Sequence, residues 1–394
     1  MGMAWRGWVV GSAAVLFVTG APAVAAAAVP DHEMPFSCGQ RWAGSTRASH
    51  SPSSRAIDFN RPGDTGDLVL ATAPGVVSRV ENLGNRSYGR WVMVEHVDGH
   101  SSLYAHLRAT WVRVGQRVDQ GAVLGVVGAS GGVTGPHLHF EERVGSRVRR
   151  ATFHRRVYAY GTRTSLNCSD VPVAGNWNGA GADEVGVFRR TAPARFRQRM
   201  PNGTTRVITH GRGGDVAVAG DWDGDARTDV GVWRPRTRTF LLRGGAGVVE
   251  PVRLGQLGDV PVTGDWDGDL VTDVGVWRPP TRTFHLLQED GTQQAIPLGA
   301  VGSRPITGDW NGDGLTEVGV FNAGTGMFVL RRVDAAGTVT IERVPFGTAT
   351  SLPVIGDWDG DGVDDLGTWA PGAATFSLRT AAGVTRSRYG LPRG

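Results

Sequence analysis

His137 and His139 stand one residue apart in the run Gly135-Pro136-His137-Leu138-His139-Phe140-Glu141. Side chains on an extended chain alternate with period two, so both imidazoles leave one face while Leu138 leaves the other. Convergent neutral imidazoles are what a transition metal, zinc above all, recruits, although two solvated histidines on an ordinary strand share the pattern. Upstream, His50 and Asp58 bound a Ser/Pro-rich loop and offer one nitrogen and one oxygen of the kinds zinc accepts; the plainer reading is an exposed histidine and a turn-capping carboxylate. Together His50, Asp58 and His139 supply three protein ligands and leave a fourth position for water, the ligand count of a catalytic rather than a structural zinc centre. His106, in Leu103-Tyr104-Ala105-His106-Leu107, shares a strand face with Tyr104 by the same alternation. His106 and His137 are then spare imidazoles beside that water.

A second set of ligand-type residues recurs downstream. Asp221, Asp223, Asp225 and Asp229 occupy positions one, three, five and nine of a loop, as do Asp265, Asp267, Asp269 and Asp273, and Asp357, Asp359, Asp361 and Asp365. Asp309, Asn311, Asp313 and Glu317 keep the pattern, whereas Asn176, Asn178, Ala180 and Glu184 carry less charge. Crowded carboxylates repel unless a cation joins them, and hard oxygen ligands suit Ca²⁺; the alternative is metal-free Asx-turn chemistry.

The elements that must hold these residues read as strands. Short runs rich in Val, Thr, Trp and Phe, separated by turn residues among 59 glycines, describe an all-β protein. In the first part the expected strands are Leu68 to Thr72, Val76 to Val80, Trp91 to His96, Ser101 to His106, Val123 to Val127 and Pro136 to Glu142, in antiparallel sheets. After Cys168, Gly-Asn/Asp-Trp-Asn/Asp-Gly recurs from Gly175, Gly220, Gly264, Gly308 and Gly356, a period of 44 to 48 residues typical of propeller blades. In the second unit the four strands are expected at Val216 to Ala219, Asp229 to Arg234, Thr239 to Arg243 and Val248 to Leu254. One unit cannot bury both faces, so five stack, either closed into a five-bladed β-propeller or as an open array. The repeated tryptophans, with Phe188, Trp233, Trp277, Phe321 and Trp369, belong to that core.

At 394 residues the chain exceeds one small core, and the expected division is a leader at 1–28, a first domain at 29–168 and a repeat domain at 169–394. The leader has one early charge at Arg6, an apolar run from Trp8 to Val18 and a small-residue tract, the order of a secretory signal peptide. The apolar run is shorter than the ~20 residues of a span, so no membrane anchor is expected and the product is exported. Export puts Cys38 and Cys168, the two cysteines, where a disulfide persists, and closing so long a loop stabilises by up to about 5 kcal/mol in the chain-entropy model. The net charge is +4 and all 41 basic residues are Arg. That balance favours adhesion to an anionic envelope, while the absence of a basic helix or interleaved aromatic stripe argues against nucleic acid.

Gly115, Val118, Gly121, Gly125, Gly128, Ser130 and Gly131, followed by Gly135 to Glu141 and preceded by Tyr104 to Leu107, resemble the lysostaphin-type (M23 family) zinc endopeptidases over about residues 45 to 145. The resemblance implies a secreted hydrolase of peptidoglycan peptides. It also implies one zinc on His50, Asp58 and His139, with His137 taking the water proton and His106 hydrogen-bonding the oxyanion, or the reverse. One departure stands out: seven residues separate His50 from Asp58 where the family usually has three. Ala56-Ile57-Asp58-Phe59 matches well and holds Asp58 in place, while the other upstream histidine, His32, precedes Cys38. The repeats resemble FG-GAP/VCBS units, which implies a stable extracellular binding module without catalysis, and a wall polymer or protein is its expected ligand. A monomer is expected. Two other classes remain open: a non-catalytic wall-binding adhesin, and a protease for other extracellular proteins.

Overall fold

The computed structural model describes residues 1–2 and 31–392, apart from 169, 192, 213, 236, 246, 249–250, 257–258, 280, 301–302, 323–324 and 349–350. The expected leader lies outside the described residues but for its first two. Among the described residues the regular structure is all β, with one short 3₁₀ turn at Val97–Gly99, and every strand pairing is antiparallel.

The first part contains β1 (Arg41–Ser45), β2 (Ile57–Asn60), β3 (Leu68–Leu70), β4 (Gly75–Asn82), β5 (Arg90–Glu95), β6 (His100–Ala105), β7 (Leu107–Thr110), β8 (Arg117–Val118), β9 (Val123–Val127), β10 (Leu138–Val144), β11 (Arg147–Arg149), β12 (Thr152–Phe153), β13 (Arg156–Val157) and β14 (Gly161–Thr164). The main sheet runs β14-β1-β2-β10-β6-β5-β4-β8, with β11 added to β10, and a second sheet runs β3-β9-β7. Trp42, Phe59, Tyr104, Leu138 and Phe140 are fully buried in one core cluster. Burial of each large apolar side chain is worth about 1.5–3 kcal/mol. Cys38 and Cys168 form a disulfide, Cα to Cα 4.8 Å, joining the two ends of this part of the chain.

The expected strand from Ser101 to His106 ends one residue early, and the reason matters. His106 has φ +62°, a left-handed conformation that breaks the pleat between β6 in the main sheet and β7 in the second. The alternation argument that put His106 on the face of Tyr104 therefore fails. The Tyr104 hydroxyl meets Thr72, whereas the His106 ring lies 4.8 Å from that of His137.

Beyond Asp170 the chain forms five successive antiparallel sheets, each with four main strands in sequence order. In the second of them the outer strand is split into Gly247–Val248 and Val252–Arg253, both paired to Thr239–Gly244, rather than continuous from Val248 to Leu254. Trp177, Phe188, Trp222, Trp233, Trp277, Trp310, Phe321 and Trp369 are buried, whereas the motif residues Trp266 and Trp358 are half-buried against the same clusters. Backbone clips join neighbouring sheets: Thr228 N–H donates to Asn176 O (3.0 Å), Thr272 to Asp221 (2.6 Å), Thr316 to Asp265 (2.8 Å) and Asp364 to Asp309 (2.7 Å), and each acceptor's own N–H returns a bond to the donor's side-chain oxygen. The fifth clip returns to the start, Asp183 N–H to Asp357 O at 2.6 Å, so the order of contacts is cyclic. Arg113 donates to the Pro279 carbonyl (2.8 Å) and Arg304 pairs with Asp119, linking the first part to the repeats.

Candidate active site

Asp58 on β2 and His139 on β10 are direct register partners, and His139 faces Ala105 on its other side. Directly opposed antiparallel residues bring their Cβ atoms within about 5 Å, so the sheet itself presents these two side chains together. His50 reaches them from the loop after β1. Thr46 organises that loop: its hydroxyl donates to Ser54 O (2.9 Å) and so must accept from His50 Nδ1–H (3.1 Å). This folding takes up the long interval between His50 and Asp58 and leaves a lone pair on His50 Nε2. On His139 the Nε2–H donates to the Glu141 carboxylate (2.9 Å), leaving the lone pair on Nδ1.

Three lone pairs consequently meet. His50 Nε2 lies 3.0 Å from Asp58 Oδ1 and 3.1 Å from His139 Nδ1, and His139 Nδ1 lies 3.1 Å from Asp58 Oδ1. A tetrahedral ion with bonds near 2.0–2.1 Å has ligand separations of ~3.3 Å, so this near-equilateral triangle fits one face of a zinc coordination sphere. His50 and His139 are buried at 6% and 2% exposure, which raises the cost of leaving such a cluster without a cation. The titration shifts describe the alternative occupant of this triangle, protons in place of a cation between the same three atoms. Burial alone would raise Asp58, yet hydrogen bonds from His139 and His50 hold it well below the carboxylate range. Burial alone would lower His139, yet Asp58 and Glu141 hold it above its ordinary value.

His106 and His137 overhang this triangle. His137 Nδ1 donates to the Gly135 carbonyl (3.1 Å), and its Nε2 lies 3.6 Å from Asp58 Oδ1. His106 Nδ1 donates to the Ser130 carbonyl (2.9 Å), and burial lowers the imidazole to about 4, so it stands neutral with its Nε2 lone pair exposed to the site. Ser130 is fixed by its own hydroxyl, which donates to Leu107 O and accepts from Arg90 N–H, both at 2.8 Å. Gly128, bridged to His137, passes so close to Arg108 that a Cβ would fall 2.4 Å from its backbone nitrogen. Any side chain there would force Gly128 and Arg108 apart, and His137 N–H is bonded to the Gly128 carbonyl.

The sequence reading gave no role to Glu141, Tyr88, Arg143, Ser130 or Thr46. Glu141 is fully buried and accepts from Tyr88 O–H (2.6 Å) and Arg143 Nε–H (2.6 Å) besides His139. Its spacing was a readable signal, since position i+2 on a strand shares the face of His139. Tyr88 and Thr46 come from loops whose path no local pattern specifies.

In the repeats, Asp221, Asp223 and Asp225 converge, as do Asp265, Asp267 and Asp269, and Asp357, Asp359 and Asp365, each with ligand oxygens within 4.8 Å. Burial and neighbouring carboxylates push Asp229, Asp273 and Asp365 up to about 6. The fourth loop departs from the expectation. There Asn311 Nδ2 donates to Asp313 (3.0 Å), Glu317 (3.0 Å) and Val333 O (2.7 Å), while its Oδ1 accepts from Asp313 N–H (2.9 Å). Asp309, Asn311, Asp313 and Glu317 thus close on themselves, because the longer Glu317 side chain reaches the amide. Asn178 and Glu184 pair in the same way in the first loop.

Residues 53–150 match the model of Peptidase family M23. The chain is 44% identical over 86 residues to the cell division protein DipM of Caulobacter vibrioides, covering 21% of this chain and 14% of that protein. It is 37% identical over 87 residues to the peptidoglycan DD-endopeptidase ShyC of Vibrio cholerae, covering 22% and 19%. The chain therefore spans under a fifth of the length of these relatives. Among solved structures, the catalytic domain of the antimicrobial peptidase lysostaphin from Staphylococcus simulans aligns at 27% identity and TM-score 0.24, covering 28% of this chain and 86% of that one.

Proposed function

We propose that this chain is an exported zinc metalloendopeptidase that hydrolyses peptide bonds of peptidoglycan, with His50, Asp58 and His139 as zinc ligands. The observation that carries the reading is the triangle of three lone pairs, 3.0–3.1 Å on each edge, beneath two further imidazoles. Zinc bound there would acidify water and polarise the scissile carbonyl. His106, neutral and with Nε2 bare, takes the water proton and returns it to the leaving amine, a role worth about 10² to 10⁴ in rate. His137 Nε2, beside Asp58, hydrogen-bonds the developing oxyanion only as the protonated ring, because its Nδ1–H is held by Gly135 O. Both rings commit Nδ1–H to a backbone carbonyl, His106 to Ser130 and His137 to Gly135, so the two roles stay exchangeable on geometry and the assignment is the proposal's own.

The division into a peptidase domain at 29–168 and a repeat domain at 169–394 belongs to the same proposal. The cyclic clips between the five sheets support a closed five-bladed propeller. Calcium is proposed for the three loops in which carboxylates converge, those of Asp221, Asp265 and Asp357. The propeller holds the enzyme at the wall.

Digestion of purified peptidoglycan by the leaderless chain tests the activity, with zinc measured on the same sample. New amine termini at peptide cross-links are expected. His139→Ala loses one zinc per chain together with all activity, while His106→Ala and His137→Ala keep zinc and lose activity by about 10²-fold or more. Full zinc content in the His139 variant would refute the ligand assignment. Zinc-loaded protein that releases no amine from any wall preparation would refute the hydrolase.

A further inference from the structure

Strand β10 carries a second chemistry on its other face. His139 and Glu141 point to the site above, and Glu142 points away from it, into a buried cluster with His32 and His100. His32 is 1% exposed, His100 6% and Glu142 1%. One ring nitrogen of each histidine and one Glu142 oxygen lie within 4.8 Å of one another. His32 Nε2 and His100 Nδ1 are both buried and have no hydrogen-bond partner.

A chain of hydrogen bonds determines which form His32 takes. His96 Nδ1 lies 2.7 Å from the Pro74 carbonyl, which only accepts, so that nitrogen carries the proton. His96 Nε2 then accepts from the Ser102 hydroxyl at 2.8 Å. With its proton spent, Ser102 Oγ accepts from Thr72 O–H at 3.0 Å. The Thr72 oxygen must in turn accept from Tyr104 O–H and from His32 Nδ1–H, both at 2.9 Å. His32 is thereby fixed as the Nδ1–H tautomer, with a bare lone pair on Nε2. An unpaired buried nitrogen loses its hydration with nothing in exchange, and two in one cluster require a reason.

We propose that His32, His100 and Glu142 form a second metal site, for zinc or a similar divalent transition ion. Two neutral imidazoles and a carboxylate are a donor set that zinc accepts, and ligand separations of at most 4.8 Å close to the ~3.3 Å of a tetrahedral edge by side-chain rotation. Thr152 N–H donates to Glu142 Oε2 (2.7 Å) and Arg149 pairs with Oε1 (3.2 Å), which orients the carboxylate. The Thr152 hydroxyl also reaches both oxygens (3.3 and 3.1 Å), so three donors meet four lone-pair sites and one is left for an ion. The ion ties the first described residues of the folded chain, through His32, to β6 and to the strand that carries His139.

The test is metal content of the full leaderless chain after dialysis into metal-free buffer. Wild type is expected to hold two zinc ions, His139→Ala one, His100→Gln one, and the double variant none. Cobalt added to His139→Ala should give a visible d–d spectrum that His32→Gln removes. No zinc and no cobalt spectrum in folded His139→Ala, or wild-type metal content in His100→Gln, overturns the site. The His139→Ala measurement also stands if the His100 variant fails to fold. Because that background lacks the first site, the result is independent of whether the chain is a peptidase.

Discussion

Glu141→Gln isolates the group that orients His139. The native carboxylate is fully buried and accepts three hydrogen bonds, from His139 Nε2–H (2.9 Å), Tyr88 O–H (2.6 Å) and Arg143 Nε–H (2.6 Å). Glutamine keeps the size but offers one acceptor oxygen and an amide that only donates. If the oxygen stays towards His139 and Tyr88, the amide confronts Arg143 and a charge-assisted bond worth about 1.5–3 kcal/mol is lost. If the amide turns to His139, the imidazole moves its proton to Nδ1 and the metal-facing lone pair disappears. Either way the ligand is less basic, and partners of this kind are worth roughly 10- to 100-fold in metal affinity. That range corresponds to about 1.4–2.7 kcal/mol. The assay is chelator competition for the zinc held by His50, Asp58 and His139, with Tyr88→Phe as a milder control that removes one of the three bonds. Zinc affinity unchanged within about twofold in a folded Glu141→Gln protein would refute the orienting role.

Two predictions concern the repeats. Asp223→Asn with Asp229→Glu rebuilds the second loop on the pattern of Asn311 and Glu317, so calcium content should fall by one per chain and the loop should become indifferent to chelator; an unchanged calcium count counts against a cation there. Asp183 makes the contact between the first and fifth sheets where three other junctions use threonine, and burial, then Asp364 and Asp357, push its carboxyl from 3.8 up to about 8. A raised folded pKa means the unfolded chain gives up its proton first, so stability falls as pH rises from about 4 to 8. Asp183→Thr should therefore leave the melting temperature little changed near pH 4 and raise it at pH 8. Discounted severalfold for screening of a partly exposed group, the gain is about 1–2 kcal/mol, or several degrees. Equal melting curves at both pH values would count against the proposed ionisation.

The repeats also indicate how the chain manages crowded acid groups without uniformity. Arg189 with Asp170, Arg234 with Asp215, and Arg278 with Asp259 form bidentate pairs at equivalent positions, and in the fourth repeat Ser303 and Asn322 replace the pair with a neutral hydrogen bond of 2.6 Å. The same repeat replaces the Asp loop with the Asn311 to Glu317 closure. The two losses of charge are separate, since the first repeat keeps Arg189 with Asp170 beside a weakly charged loop, and the fifth, with Ser351 and Ala370 at the pair positions, keeps its Asp loop.

Much of this was local and so legible. Period two places His137 and His139 on one face, repeated Trp and Gly mark five units, and alternation with turn residues specifies antiparallel strands; each depends on neighbours along the chain. Register across strands is another matter. That Asp58 faces His139, that His50 returns over its loop through Thr46, and that Glu141 meets Tyr88 and Arg143 follow from pairings 80 or more residues apart or from loop paths with no periodic signal. Local rules even misled at His106, whose positive φ breaks the alternation that a strand would impose. The buried cluster of His32, His100 and Glu142 is the extreme case: three residues from three segments, unremarkable in sequence, joined because both faces of β10 are covered. The sequence by itself determined the strands, the repeats and the kinds of ligand; only the tertiary structure decided which lone pairs meet, because convergence depends on strand register and loop path, and neither is written in nearest neighbours.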